Sequence, residues 1–426
     1  MASLPEPVPE EATDALVDGD RTLVRGSARA ALSHRPFRIV WTGTFASNIG
    51  TWMQNVLLGA YGYTLTRSVT YVGVLFFAQL GPLLLLSNVG GVLADVLDRR
   101  RLLLWTQVVQ LVLSLVLAGL ATDSDPSRVG IVVCVFAIGV GNALGAPALS
   151  SILPTLVPRA DLAGAVSLQS VQMNLSRVIG PVIGAALYAG AGAAPVFLLN
   201  AGTYLFAIVA IVLVAPPPRR APTGASGVRE RLAEGFRIAR RDPLVRHVLV
   251  TLFSLSFFSL AFVGLMPELA ATNLGMRPRS VEYGVLYAVF GLGAALGAIS
   301  VGTLLVSVPK ARLVQPGLLV FAAFLAIFAL ARSDALAFAV APLLGYAYFI
   351  VITSLSTVLQ EHVDDAVRGR VVALWIMGFG GTVPVGVLVG GVVASETSIT
   401  AVLLFGAAFA VALAAYADLR RAGAPG

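Results

Sequence analysis

Arg177 is the side chain in this sequence with the most chemistry to account for. Counted from Ala163, it stands about 14 residues into an apolar segment, roughly 21 Å at ~1.5 Å per residue. A charge that deep costs at least ~2.5 kcal/mol unless it meets a polar cavity or a partner. Gln169 and Met173 share its helical face at four-residue spacing. Two roles are open for the guanidinium. It binds a substrate or responds to a proton, or it is satisfied by carbonyls and by Asn or Gln of adjacent helices. A second polar face lies earlier, where Asn48, Trp52 and Asn55 align and Gln54 stands beside them. Glu268 follows Pro267 near the end of another apolar run. It is able to carry a proton, or it is a solvated carboxylate at a helix end. With Asp95 it is the main acid that the pattern places at membrane depth.

These residue types bind and orient; nothing in their spacing reads as catalysis. No glycine loop leads into Lys-Ser or Lys-Thr, so ATP is not the evident energy source. The single cysteine, Cys134, excludes an intrachain disulfide framework or a thiolate metal site. His34, His247 and His362 are the only histidines, all near the ends of apolar runs, so no metal or other cofactor is expected.

The elements that position these residues follow from composition. Of 426 residues, 57% are apolar and only 12% charged, and the mean hydropathy is +0.87. A soluble chain carries about 25% charged residues. The depletion runs along the whole chain, so the expected solvent is lipid. The balance of +7 needs no nucleic acid to explain it. Apolar runs cover roughly 37–64, 69–95, 102–122, 129–152, 163–190 and 194–215, then 244–271, 281–307, 313–332, 335–359, 370–394 and 399–418. Each is long enough to cross a hydrocarbon core of about 30 Å as a helix. Runs so long and unbroken do not suit barrel strands of about 10 alternating residues. The expected fold is an all-α membrane protein of twelve transmembrane helices.

Charge sets the orientation. Arg99, Arg100, Arg101, Arg159, Lys310, Arg312, Arg368, Arg370, Arg420 and Arg421 fall on one side, together with the basic stretch 219–246. Arg67, Arg128, Arg277, Arg279 and Arg332 fall on the other. The asymmetry predicts both termini inside the cell. Residues 1–36, with their prolines and acids, are expected to be a disordered cytoplasmic tail, and 419–426 a second tail. Between halves at 37–215 and 244–418 lies a linker, 216–243. Val228, Leu232, Phe236 and Ala239 recur there at helical spacing, with arginines on the other faces. It reads as an amphipathic helix on the anionic inner leaflet, or as a tether that only fixes topology. No cleavable signal is visible, since residues 1–30 lack an apolar core.

The halves repeat. The loop from Val157 to Leu162 and the loop from Val363 to Arg368 lead into similar spans at a shift of about 206 residues. Gly180 and Gly184 are matched at that shift by Gly386 and Gly390.

Between the second and third spans the chain reads Gly91-Val92-Leu93-Ala94-Asp95-Val96-Leu97-Asp98-Arg99-Arg100-Arg101. This resembles the signature loop of the major facilitator superfamily, with Asp98 where the common form has Gly. The resemblance implies two six-helix halves related by pseudo-symmetry. It implies that Asp95 faces the start of span eleven at Gly369 and Arg370, and that Arg99 pairs with an acid such as Asp161, Glu361 or Asp364. Gly180-Pro181-Val182-Ile183-Gly184 resembles the glycine-proline motif of superfamily exporters, which implies a tight seam with a neighbouring span. The run Ser47 to Gln54 resembles bacterial multidrug, macrolide and siderophore exporters, a branch that includes transmembrane secretion effectors. In that branch spans one, four, seven and ten line the cavity, so Asn142, Tyr346 and Tyr348 join the candidates. The resemblance implies a monomeric secondary transporter in a bacterial inner membrane. The expected activity is export of a hydrophobic or amphiphilic small molecule such as a drug, macrolide or siderophore, with the proton as coupling ion; uptake of an organic solute, or a non-transporting membrane protein that binds lipid or a ligand, is the alternative.

Overall fold

The computed structural model describes residues 26–214 and 228–419. The side chains of Gly91, Asp95 and Gly369 lie outside the described residues, so the expected contact of Asp95 with the start of span eleven does too. Twelve helices of 18 residues or more run through the described chain. The first six are Arg35–Thr66, Val69–Val96, Arg99–Leu120, Arg128–Ile152, Leu162–Ala191 and Ala193–Val214. The second six are Pro243–Asn273, Val281–Gly302, Ala311–Leu330, Asp334–His362, Asp365–Glu396 and Ile399–Tyr416. They are called spans one to twelve below.

Nine of the described helices are long and apolar enough to cross a membrane on those two criteria alone. Spans one, two and five fall outside that set. Spans one and five carry Asn, Gln and Arg on one face, and span two contributes a shorter apolar stretch, Val69–Leu84. A helix that faces a polar interior has less need of apolar side chains all round.

The local reasons for the helix starts alternate with direction. Spans two, four, eight, ten and twelve begin at one end of the bundle, each behind a serine. Ser68, Ser127, Ser280, Ser333 and Ser398 accept a hydrogen bond from a first-turn N–H of the span that follows. At the opposite end, here called the basic end, aspartates do this work. Asp98 accepts from Arg101 N at 2.8 Å, and Asp242 accepts from Leu244 N and Val245 N. The aspartate that departs from the signature loop is therefore the cap of span three. Its neighbour Arg100 donates to the last carbonyls of span six, from Nη2 to Val212 O at 3.0 Å. Arg100 thus ties two helix ends, beyond the topological marking its position suggests.

Within the first half, span one packs on spans five and six, span two on four, and span three on four and six. In the second half span eight packs on ten, nine on ten, and nine on twelve. The halves meet along two long seams, span two against eleven and span five against eight.

Duplication shows in the packing as well as in the sequence. A Cβ at Gly180 would stand 2.8 Å from Ile49 O of span one, and one at Gly184 2.7 Å from Met53 Cγ. The matched Gly386 would stand 2.2 Å from Phe257 O of span seven. Each pair lets the fifth helix of its half approach the first more closely than any side chain allows. Span seven is not uniform, since Leu255–Ser259 forms a π-turn at this contact.

Three boundaries differ from the sequence reading. Residues 26–36 belong to the fold rather than to a tail. Ala28–Ser33 is a helix with Ala30 and Ala31 buried, and His34 Nε2 lies 2.8 Å from Asp161 Oδ2. Gly26 N donates to the other oxygen of Asp161 at 2.9 Å. Span eight stops at Gly302 instead of 307, because Lys310 Nζ donates to the carbonyls of Leu305, Val306 and Val308 and holds them in turns. The linker helix is Val228–Arg241, and it meets span eleven through Glu234 and Gly235. Phe236, expected on its apolar stripe, is exposed.

Candidate functional site

A cavity of about 560 Å³ lies between the halves. Spans one to five supply most of its wall from the first half, and spans seven, eight, ten and eleven close it from the second. Six of the residues singled out from sequence come together in it: Asn48, Trp52, Asn55, Asn142, Gln169 and Arg177. Met173 and Tyr348 line it too. The wall reaches Ser150, Leu153 and Gln169, in the turns nearest the basic end. At the other end the seams are tight. A Cβ at Gly59 would stand 3.3 Å from Pro267 Cγ, and one at Gly391 2.9 Å from Val69 O.

Arg177 sits where the halves cross. A Cβ at Gly291 of span eight would be 3.0 Å from Arg177 O, so the glycine admits the backbone of span five at this level. The guanidinium carbon lies 5.0 Å from the centroid of the Trp52 ring and 4.9 Å from that of Phe349. One ring comes from span one and the other from span ten, so the cation bridges the two halves by π contacts worth about 0.5–2 kcal/mol each. Nε of Arg177 is buried without a hydrogen-bond partner, while the side chain stays partly accessible from the cavity. Among the described lining residues Arg177 is the one Lys, Arg, His, Asp or Glu.

Gly180 fixes this arrangement. A Cβ there would also lie 2.7 Å from Trp52 Cβ. Gly180 and Gly184 thus hold span one against span five, and the seam implied by the resemblance sets the distance from Trp52 to Arg177 one turn away. Pro181 lies on the other side of span five, where its carbonyl faces Gly284 of span eight at 3.1 Å from that residue's ideal Cβ.

Sequence reasoning missed part of the wall. Gln79 of span two donates to Asn55 Oδ1 across the cavity wall. Gln107 and Gln110 of span three, Gln172 of span five, and Tyr287 and Phe349 of the second half also line it. The amides of spans two and three carried a signal, since each interrupts an apolar run. Gln54, grouped with the polar face of span one, points elsewhere. It is buried among spans of the first half and accepts from Asn200 Nδ2 at 2.6 Å.

Other candidates stand apart from the cavity. Tyr346 packs its backbone against Gly297. Glu268 lies toward the tight end, beside Tyr63 of the opposite half, with Oε2 buried and without a hydrogen-bond partner. Arg370 pairs with Glu234 of the linker helix, Nη1 to Oε1 at 2.6 Å. Asp161, offered as a partner of Arg99, also accepts from Gly26 N and meets His34 Nε2. Among the described residues no group of three or more His, Cys, Asp or Glu is placed to hold a metal.

The comparisons with known proteins agree with this architecture. The family model described as "Transmembrane secretion effector" matches residues 26–422. The "Enterobactin exporter EntS" of Escherichia coli O1:K1 / APEC is 31% identical over 350 residues, 80% of this chain and 81% of that protein. The protein of the same name from Shigella boydii serotype 4 (strain Sb227) is 30% identical over 350 residues, with the same coverage of each chain. Among solved structures, a bacterial homolog of the human lysosomal transporter Spinster, inward-facing and unoccupied, superimposes with a TM-score of 0.71 at 16% identity. The match covers 91% of this chain and 96% of that one. A POT family transporter in complex with 5-aminolevulinic acid gives 0.73 at 13% identity, over 89% and 95%. These structural likenesses carry the fold alone. The sequence matches carry more: this multi-pass membrane protein is a secondary transporter rather than an enzyme, and it belongs to the transmembrane secretion effector family of the major facilitator superfamily.

Proposed function

We propose that the protein exports an amphiphilic small molecule of the drug, macrolide or siderophore kind across a bacterial inner membrane, as a monomer driven by protons. The observation that carries this reading is the cavity between the halves, which reaches the basic end and is shut by glycine-lined seams at the other. The excess of Arg at the basic end supports placing that end, and both termini, in the cytoplasm. Cargo then enters from inside and leaves when the halves rock about the level of Arg177. The wall is largely apolar with scattered amides, which suits amphiphiles better than sugars or phosphates. Enterobactin export by the relatives supports the outward direction.

For the coupling ion, Glu268 is the carboxylate we assign. It belongs to span seven, touches Tyr63 of span one, and has one oxygen buried and unpartnered, so its protonation would bear on the contact between the halves. Asp95 and Arg99, with Gly91, Gly369 and Arg370, remain the proposed gate at the basic end. Everted membrane vesicles energised with a proton gradient test the proposal. Uphill accumulation of cargo, collapsed by an uncoupler, is the expected result. Accumulation in right-side-out vesicles only would make it an uptake system, and binding without movement would make it a receptor.

A further inference from the structure

We propose that the cargo is an anion, and that its negative charge seats on Arg177 between Trp52 and Phe349. Only the presence of cargo in the cavity rests on the export reading; the charge of that cargo does not. Three observations carry it. Arg177 makes no hydrogen bond or ion pair with any described residue; it lies over the two ring faces, with the neutral phenols of Tyr287 and Tyr348 also near it in the wall. No Asp or Glu stands among the described residues of the wall, so the cavity holds an uncompensated positive charge. The backbone that carries the guanidinium is also closely packed. Gly180 lets span one approach span five on one side, and Gly291 lets span eight approach it at the level of Arg177 on the other.

Neither ring can accept the in-plane N–H bonds of the guanidinium as an oxygen would, and the edge of the group that reaches the cavity still has donors to offer. That edge is the geometry that takes a carboxylate, sulfonate or phenolate through two parallel hydrogen bonds. The rings leave room for a flat, apolar body next to the anionic group, since Trp52 and Phe349 present aromatic surface to the same cavity. A cationic drug would face repulsion in a low-dielectric space, where screening is weak. The chemical class is therefore an anionic amphiphile with an aromatic or other planar part.

The test uses two fluorescent probes that differ by one charge. 1-Anilinonaphthalene-8-sulfonate carries a sulfonate; N-phenyl-1-naphthylamine is the same ring system without it. The full chain in nanodiscs of phosphatidylcholine is titrated with each, against empty nanodiscs. We expect the anion to bind at least about tenfold more tightly than the neutral probe, the scale of one charge-assisted contact. Arg177→Gln should bring the two affinities together by weakening the sulfonate alone, and Arg177→Lys should keep most of the difference. Equal or reversed affinities in the unaltered protein overturn the proposal, as does saturable binding of neither probe. That comparison needs no variant, so a poorly folded Arg177→Gln does not rescue it. Proton-driven export of a neutral cargo without any preference for anions would sink this inference and leave export standing. A clear anion preference without any transport would do the reverse.

Discussion

At the scale of single residues, the cavity depends on which side of a helix a polar group leaves from. Asn55 and Gln54 are neighbours in sequence, yet Asn55 lines the cavity and Gln54 holds Asn200 inside the first half. Gln54→Leu should therefore leave the Asn200 amide unsatisfied and cost about 1–3 kcal/mol of stability. The same variant should not alter probe affinities in nanodiscs, and a melting curve of the purified protein reads the stability loss. Gly180 has the opposite profile. Its ideal Cβ already lies within 2.8 Å of three atoms of span one, so Gly180→Leu must push Trp52 away from Arg177. Overpacking of this kind costs about 1–3 kcal/mol. Here both the melting temperature and cargo binding should fall, and unchanged binding would mean that the seam does not position the indole.

At the scale of elements, the linker helix is fastened to the second half. Its Glu234 holds Arg370, a pair about one-third exposed on each side, and its Gly235 lets it lie against the Arg370 carbonyl at the start of span eleven. Asp242 then ends the linker and caps span seven while pairing with His362 Nε2 at 2.8 Å. Burial pushes the Asp242 carboxyl up, but the bonds from Val245, His362 and Leu244 outweigh it and hold the group below its ordinary value. A carboxyl depressed by folding stabilises the fold above its unfolded pKa, near ~3.9, and ceases to as the pH falls through the folded value. Asp242→Asn should thus lower stability by about 1 kcal/mol at neutral pH, the usual worth of a cap. The gap between the two proteins in thermal melts should be present at about pH 5 and close as the pH falls below about 4. A gap that widens in acid would contradict this account.

At the scale of the whole molecule, transport by rocking requires the tight end to open. Thr70 on span two and Gly391 on span eleven face each other there, the ideal Cβ of Gly391 standing 3.5 Å from Thr70 Cα. Cys134 is the sole cysteine, so a Cys134→Ser background makes a paired replacement clean. Thr70→Cys with Gly391→Cys, oxidised, should arrest cargo movement in everted vesicles almost completely, and a reductant should restore it. Transport that persists through complete cross-linking would exclude a rocking mechanism for this chain.

Hydropathy by itself predicted twelve apolar runs, and nine of the described helices are long and apolar enough to cross a membrane, because lipid forces each crossing segment to satisfy its own backbone and to show apolar side chains over about 20 residues. It also marked Arg177, since a charge at that depth has few physical excuses, and it marked the glycines of the seam by their repetition in both halves. What sequence periodicity cannot tell is whether a polar group inside the bundle meets a cavity or another helix, as both look alike on a helical face. Only the packing separated Asn55 from Gln54, added Gln79 and Phe349 to the wall, and turned Arg370 toward Glu234. Likewise the ordering of residues 26–36 against Asp161 needed a partner 125 or more positions away, and a local reading of composition has no access to that partner.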